Sequence, residues 1–395
     1  MQYKFSKRVE GIQSAAISDI LKLGADPEVI SFGGGYPDPD LFPLEKLSAV
    51  YDEVIKLDGK KALQYATTEG LPALREKIIK RMNRADVNCT MDELMLISGG
   101  QQGLDLVGKL FINEGDAIIV ENPTFLGALL SFKPYKPEFI SVPVEDDGMN
   151  IKALEDALIA NPNVKFIYTI PEFHNPTGVT LSFEKRKKMI ELANKFNVMI
   201  LEDSPYREIR YEGEPIPSIK SLDTENRVMF LGSFSKILCP GLRLGWVVAP
   251  AEVISKISML KLASDTQNST LNMHAVNRFM EKYDIDEHIE VLKATYKRKK
   301  DLMVRIIEET FPAEVKFTNP EGGLFTWLSF PKSIDTVELM KLTLEESKVA
   351  YVPGMPFYSN DVEHNHCRVN YSYMPDDKIE FGMREIGRIV SKQLK

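Results

Sequence analysis

Between Ser233 and Trp246 the chain gathers residues able to do carbonyl and phosphate chemistry. Lys236 follows two hydroxyl residues, Ser233 and Ser235, and Arg243 comes shortly after. The run before them, Val228–Leu231, is apolar enough to be a buried strand. A lysine just past a strand end can form a Schiff base with a carbonyl cofactor. Flanking hydroxyls and an arginine suit a phosphate on that cofactor. Together they suggest pyridoxal 5′-phosphate, although a strand-end lysine alone is an ordinary solvated residue.

Three other segments fall just after apolar runs. Ser98 leads through Gly99 and Gly100 into Gln101 and a helix, and glycines there let backbone N–H groups approach an anion at the positive helix end. Alone, such a pair is only a turn. Asn175 opens Asn-Pro-Thr-Gly178, a strong turn signal that also presents an amide. Asp203 and Tyr206 close Val198–Glu202. A carboxylate at a buried strand end is costly unless paired, and a protonated pyridine nitrogen is such a partner. The plain alternative is an Asp capping the next turn. A carboxylate, an amide, a lysine and a phosphate nest at successive strand ends are hard to explain structurally.

These segments need elements to carry them. Candidate strands are Leu94–Ser98, Ala117–Glu121, Phe139–Val142, Phe166–Ile170, Val198–Glu202, Val228–Leu231 and Trp246–Ala249, with helical patterns such as Gln101–Phe111, Ile151–Ala160 and Phe183–Phe196 between them. Several strands read as apolar on both faces, as in a parallel sheet covered by helices. The alternation predicts a doubly wound α/β domain whose ligands sit beyond the carboxyl ends of its strands. After about residue 285 come a long charged helix, Glu287–Glu309, short strands at Val315–Thr318, Leu324–Ser329, Ala350–Val352 and Arg368–Tyr371, and a helix from Asp376. That α+β pattern predicts a domain boundary near 285.

The length of 395 residues allows two domains. A net charge of −8 argues against nucleic acid or an anionic membrane as the main partner. The opening residues lack an apolar signal core, and no apolar run reaches the roughly 18–20 residues of a membrane span. Cys89, Cys239 and Cys367 are scattered, which suits free thiols in a reducing cytoplasm rather than a disulfide frame or a metal site. His364 and His366 read as solvated loop residues, so no metal is expected.

The chain resembles the fold-type I, class I/II pyridoxal-phosphate-dependent aminotransferases, closest to the branch with 2-aminoadipate and kynurenine/aromatic aminotransferases. The resemblance runs nearly end to end. Its motifs are Ile30–Gly35 with Leu41–Pro43, Leu63–Gly70, the four segments above, Glu321–Trp327, Val352–Phe357 and Arg368–Ser372. It implies a large, mainly parallel seven-stranded sheet domain over 45–285, and a smaller α+β domain built from 1–44 and 286–395. Lys236 then matches the lysine that holds the cofactor and shuttles the α-proton, and Asp203 the carboxylate that keeps the pyridine nitrogen protonated. Asn175 and Tyr206 match the pair bonded to the ring's 3′-oxygen. Gly99, Gly100, Gln101, Ser233, Ser235 and Arg243 match the phosphate cradle. Phe125 matches the aromatic stacked on the ring, where members often carry Tyr. Tyr65 matches a tyrosine that reaches the neighbouring subunit's phosphate, which implies a homodimer with shared sites. Arg368 matches the arginine that grips the substrate α-carboxylate, with Asn175, Gly34 and Tyr36 also against the substrate.

Two departures bear on the substrate. Relatives taking long dicarboxylates can carry an arginine on the first helix, where this chain has Ser18 and Asp19. Tyr36 stands where smaller aliphatics are common and, with Phe357, shapes an aromatic or apolar pocket; ordinary packing is its plain alternative. The expectation is a cytoplasmic aminotransferase taking aromatic or large apolar L-amino acids with broad specificity. It would pass the amino group to a 2-oxo acid, 2-oxoglutarate by resemblance, in ping-pong order. The alternatives are a 2-aminoadipate aminotransferase, or a C–S lyase or decarboxylase on the same scaffold. A regulator built on this fold carries a winged helix ahead of the aminotransferase part, and here that part begins within about the first dozen residues.

Overall fold

The computed structural model describes residues 3–9 and 26–394. After a two-residue strand β1 (Ile30–Ser31) come β2 (Leu94–Ile97), β3 (Ala117–Asn122), β4 (Glu138–Glu145), β5 (Gly148–Met149), β6 (Val164–Thr169), β7 (Met199–Asp203), β8 (Val228–Ser233) and β9 (Gly245–Val248). β2 to β9 form one sheet in the order β2-β9-β8-β7-β6-β3-β4-β5. β8, β7, β6, β3 and β4 run parallel. β9 is antiparallel to both its neighbours.

All seven strands expected from apolar runs occur. β2 and β8 are buried along their whole length, as continuous apolar runs covered on both faces require. The sheet adds an eighth strand, β5, which turns back beside β4 at the edge. Two residues carry no periodic signal, so β5 was not legible.

The remaining strands are β10 (Lys316–Phe317), β11 (Phe325–Ser329), β12 (Val349–Ala350), β13 (Val352–Pro353) and β14 (His366–Asn370). β10, β11, β14 and β13 make an antiparallel sheet. β12 instead pairs in parallel with β1, which ties the N-terminal segment to the C-terminal part. The expected strand Ala350–Val352 is thus split between two sheets at Tyr351, which is buried and donates its hydroxyl to Thr336 O at 2.8 Å.

The long helix Ile285–Thr310 spans two cores. Ile289, Leu292 and Tyr296 pack into the core of the large sheet. Met303, Ile306 and Ile307 pack into a second core with Phe32, Val369 and Ile386. Between them the buried Lys299 donates to Asp38 Oδ2 at 2.6 Å and to Ser372 O at 3.0 Å. Asp38 N donates to the Tyr296 hydroxyl at 3.2 Å. Removing one member of a buried ion pair strands the other in low dielectric, at a cost of about 3–5 kcal/mol. Asp38→Ala should therefore lower the melting temperature sharply. Asp52→Ala, which breaks the exposed Lys56–Asp52 pair, should barely move it. Equal, small shifts would show that the Lys299 pair does not hold the long helix to the N-terminal segment.

Candidate active site

A cavity of 690 Å³ lies beyond the C-terminal ends of the parallel strands, where β14 and the stretch after β1 also arrive. Lys236, Asp203, Tyr206, Asn175, Gly100, Gln101, Phe125, Ser233, Ser235, Arg243, Arg368, Gly34 and Tyr36 all line it. Most of the residues singled out by sequence are brought together there. Gly99 lies just behind the wall. Its φ of +80° is a left-handed value that favours glycine, and a Cβ there would stand 2.9 Å from Arg243 Nη2. Tyr65 is not brought in: it is 81% exposed on the outside of the chain. Ser18 and Asp19 lie outside the described residues.

Asp203 ends β7 and is buried. Its Oδ2 accepts a hydrogen bond from the Tyr168 hydroxyl at 2.9 Å. Its Oδ1 points toward Gly100, 4.0 Å from where a Cβ on that glycine would stand. Burial pushes the carboxyl up to about 7, against the hydrogen bond from Tyr168, and the charge of Glu121 adds to the rise. Lys236 donates Nζ to Gly35 O at 2.6 Å. Burial, then Arg368 and Arg243, lower its amine to about 8.

Arg368, on β14, donates Nη1 to Asn175 Oδ1 and Nη2 to Gly33 O, both at 2.7 Å. Its guanidinium lies 4.2 Å from the Phe325 ring centre and 5.0 Å from that of Phe357. Its buried Nε has no partner among the described residues. Burial lowers this arginine to about 10. Asn175 Nδ2 makes a long contact, 3.5 Å, to the Tyr206 hydroxyl. The turn that aims Asn175 closes through Gly178 N and His174 O at 2.6 Å. Gly178 has a φ of +73°, and a Cβ on it would stand 2.7 Å from Phe325 O.

The helix Gly100–Phe111 starts at the cavity with no side chain capping it, so its first N–H groups are open to an anion. Ser233 Oγ lies 3.0 Å from Ser235 Oγ and accepts from Ser235 N at 3.1 Å. Arg243 completes this side and donates Nη2 to Ser98 O at 2.9 Å. Gln101 lines the cavity too, with its side chain donating to Gly127 O at 2.8 Å and Ser131 Oγ at 2.6 Å, which leaves its backbone for the anion position. Tyr36 brings the Cδ2–Cε2 edge of its ring over Gly34, is 41% exposed, and meets the Tyr373 ring edge-on at 5.7 Å.

Sequence reasoning missed Tyr168, Phe325 and the Gly35 carbonyl. Tyr168 had a signal: it registers with Leu201 across β6 and β7, and Leu201 shares a strand face with Asp203. A carbonyl leaves no signal in a side-chain pattern. A buried hub was missed as well. Glu172 accepts from Arg186 and Arg207, each at 2.7 Å, and so ties the chain before Asn175 to the chain after Tyr206. His366 corrects the sequence reading. It is part of β14, largely buried and stacked on Trp327 at 5.6 Å, not solvated.

The site fits pyridoxal phosphate on its own chemistry. An open helix end, two hydroxyls and an arginine suit a phosphate. A buried carboxylate with no cationic partner among the described residues suits a ring N–H⁺. A buried lysine with a depressed pKa suits a carbonyl carbon. Comparison with known proteins agrees. A family profile described as "Aminotransferase class I and II" matches residues 28–386. Aromatic-amino-acid aminotransferase 1 of Thermococcus litoralis is 41% identical over 99% of this chain and 95% of its own length. The 2-aminoadipate transaminase of Thermus thermophilus is 35% identical over 97% and 96%. The crystal structure of Pyrococcus horikoshii kynurenine aminotransferase in complex with PMP superposes with a TM-score of 0.94 at 38% identity, covering 99% of this chain and 98% of that one.

Only a neutral amine attacks a carbonyl. An amine lowered to about 8 is partly neutral at pH 7 and mostly neutral above 8. Uptake of pyridoxal phosphate by the cofactor-free protein, followed by absorbance, should accelerate up to about pH 8 and then level. Acceleration continuing toward pH ~10, as for an ordinary lysine, would contradict the environment described for Lys236.

Proposed function

The chain belongs to the class I and II aminotransferases, and we propose that it moves the amino group of an aromatic or large apolar L-amino acid to a 2-oxo acid. The acceptor in this reading is 2-oxoglutarate, and the order is ping-pong. One observation carries it: Lys236, Asp203, Asn175, Tyr206 and Arg368 meet in a single cavity whose other walls are largely apolar.

When bound, pyridoxal 5′-phosphate supplies an electron sink for the charge left as the α-proton departs. The chain's own residues do the rest. Lys236 Nζ takes that proton and returns it. Asp203 holds the ring nitrogen's proton, and Asn175 and Tyr206 bond the ring's 3′-oxygen. The backbone of Gly99, Gly100 and Gln101, with Ser233, Ser235 and Arg243, binds the phosphate, and Phe125 covers the ring. Arg368, whose guanidinium lines the cavity, binds the α-carboxylate. Fixing that carboxylate sets the Cα–H bond for transfer.

The preference for aromatic or apolar donors rests on the far end of the cavity. Among the described residues the cations lining it are Lys236, Arg243 and Arg368. Each already has a task, which leaves none of them for a donor's distal carboxylate. Tyr36 and Phe357 instead offer rings. A 2-aminoadipate preference is the second reading, favoured by the likeness to the Thermus transaminase.

The same proposal covers organisation. Two separate cores support a large domain over 45–285 and a small one from 1–44 with 286–395. The exposure of Tyr65 and Leu63 supports a homodimer in which Tyr65 serves the neighbouring site. No helix among the described residues is long and apolar enough to cross a membrane. A cytoplasmic place rests on the free thiols.

With 2-oxoglutarate as acceptor, Phe, Tyr and Leu should give a higher kcat/KM than 2-aminoadipate or Glu. A best value for 2-aminoadipate would favour the second reading. Arg368→Lys, which loses the planar fork, should lower kcat/KM by about a hundredfold or more. An unchanged value would remove Arg368 from the substrate site.

A further inference from the structure

Tyr168 is buried in β6, and among the described residues its side chain makes one hydrogen bond, from its hydroxyl to Asp203 Oδ2 at 2.9 Å. Its ring is locked edge-on against Phe132 at 5.8 Å. The hydroxyl therefore has a fixed direction. Next to it, Glu121 accepts from Thr169 Oγ1 at 2.9 Å and from Ile170 N at 3.0 Å, and sits 3.1 Å from His174 Nε2. A tyrosine in an otherwise apolar core is costly unless its hydroxyl finds a partner. Here the partner is the carboxylate on which the cofactor's ring nitrogen depends.

We propose that Tyr168 is a positioning residue for the transamination reaction: its hydroxyl decides which atom of the Asp203–pyridine pair holds their shared proton. The inference rests on the reading of Asp203 as the ring nitrogen's partner. Between a carboxylate and a pyridine one proton has two homes. On nitrogen it leaves an anionic Asp203 beside a cationic ring. On oxygen it leaves a neutral acid and a neutral ring, which is a poor electron sink. A hydroxyl that donates to Oδ2 stabilises the anionic carboxylate more than the neutral acid, and so moves the proton toward nitrogen. Burial and the Glu121 charge pull the proton toward this carboxyl, raising it to about 7, and the Tyr168 hydrogen bond opposes that pull. Tyr168 keeps its own proton across the working range, since burial and then the Asp203 charge raise it well above the usual tyrosine value.

The test is the ¹⁵N resonance of ring-labelled pyridoxal phosphate in the holoenzyme. Tyr168→Phe keeps the ring and its packing on Phe132. It should move the resonance toward that of a neutral pyridine, as the proton distribution shifts by about tenfold to a hundredfold, the size of a charge-assisted hydrogen bond. Phe132→Leu loosens the same packing and keeps the hydroxyl, so it should lower the melting temperature and leave the resonance in place. A Tyr168→Phe resonance equal to wild type, or a Phe132→Leu change as large as that of Tyr168→Phe, overturns the proposal. Asp203→Asn separates the two readings. If it moves the resonance and Tyr168→Phe does not, only Tyr168 is wrongly assigned; if it moves nothing, the reading of Asp203 fails as well. Should Tyr168→Phe not fold, the unsubstituted chain serves. Replacing the cofactor by its 1-deaza analogue, which has no ring nitrogen, should shift the Tyr168 hydroxyl proton resonance, and no shift overturns the proposal.

Discussion

The site is governed by the burial of a carboxylate, Asp203, at the end of a central strand. Removed from water, it is held by one protein hydroxyl and lifted to about 7. A cation brought to it restores the charge, and the cavity is shaped to bring one. On the other side, Lys236 lies near Arg368 and Arg243, which with burial press its amine toward neutrality. Among the described residues, three cations face one carboxylate across a largely apolar cavity. That excess suits two anions, a cofactor phosphate and a substrate carboxylate, and leaves the lysine as the member able to give up its charge.

The second part of the molecule reaches this arrangement through a short stretch. Gly33 O accepts from Arg368, Gly35 O from Lys236, and Tyr36 O from Ser372 Oγ at 2.8 Å. Asp38, just beyond, is pinned by Lys299 on the long helix. The backbone of Gly33–Tyr36 thus accepts from Arg368 Nη2 and from Lys236 Nζ, two groups proposed for substrate and cofactor chemistry. A substrate carboxylate must compete with the Gly33 carbonyl for the arginine. The energy that holds this stretch is spread between the two cores, because the long helix takes part in both.

Much of this was legible in the amino-acid order because the large sheet is buried on both faces. Buried strands read as unbroken apolar runs, and the residues after each run fall on one edge, where Gly100, Asn175, Asp203 and Lys236 stand. The resemblance of the motifs to a known family then gave Arg368 its proposed role, which no periodicity could. What escaped has physical reasons. β5 is too short to have a period. Tyr351 divides one apolar run between two sheets. His366 looks polar in sequence, but Trp327 covers it from β11. Gln101 was assigned by its place in a motif, while its side chain answers to the nearby Ser131. Tyr168 was hidden within an apolar run, although its parity with Asp203 was there to read.

The proposed transfer stores the amino group in the one cavity between two half-reactions. The most direct test is to mix the cofactor-loaded enzyme with phenylalanine and no oxo acid, while following the cofactor's absorbance and the oxo acid released. The account predicts complete conversion of the absorbance to the pyridoxamine form and one equivalent of phenylpyruvate per site, with no further product until an acceptor is added. Continued turnover without an acceptor, or an unchanged spectrum, would contradict it.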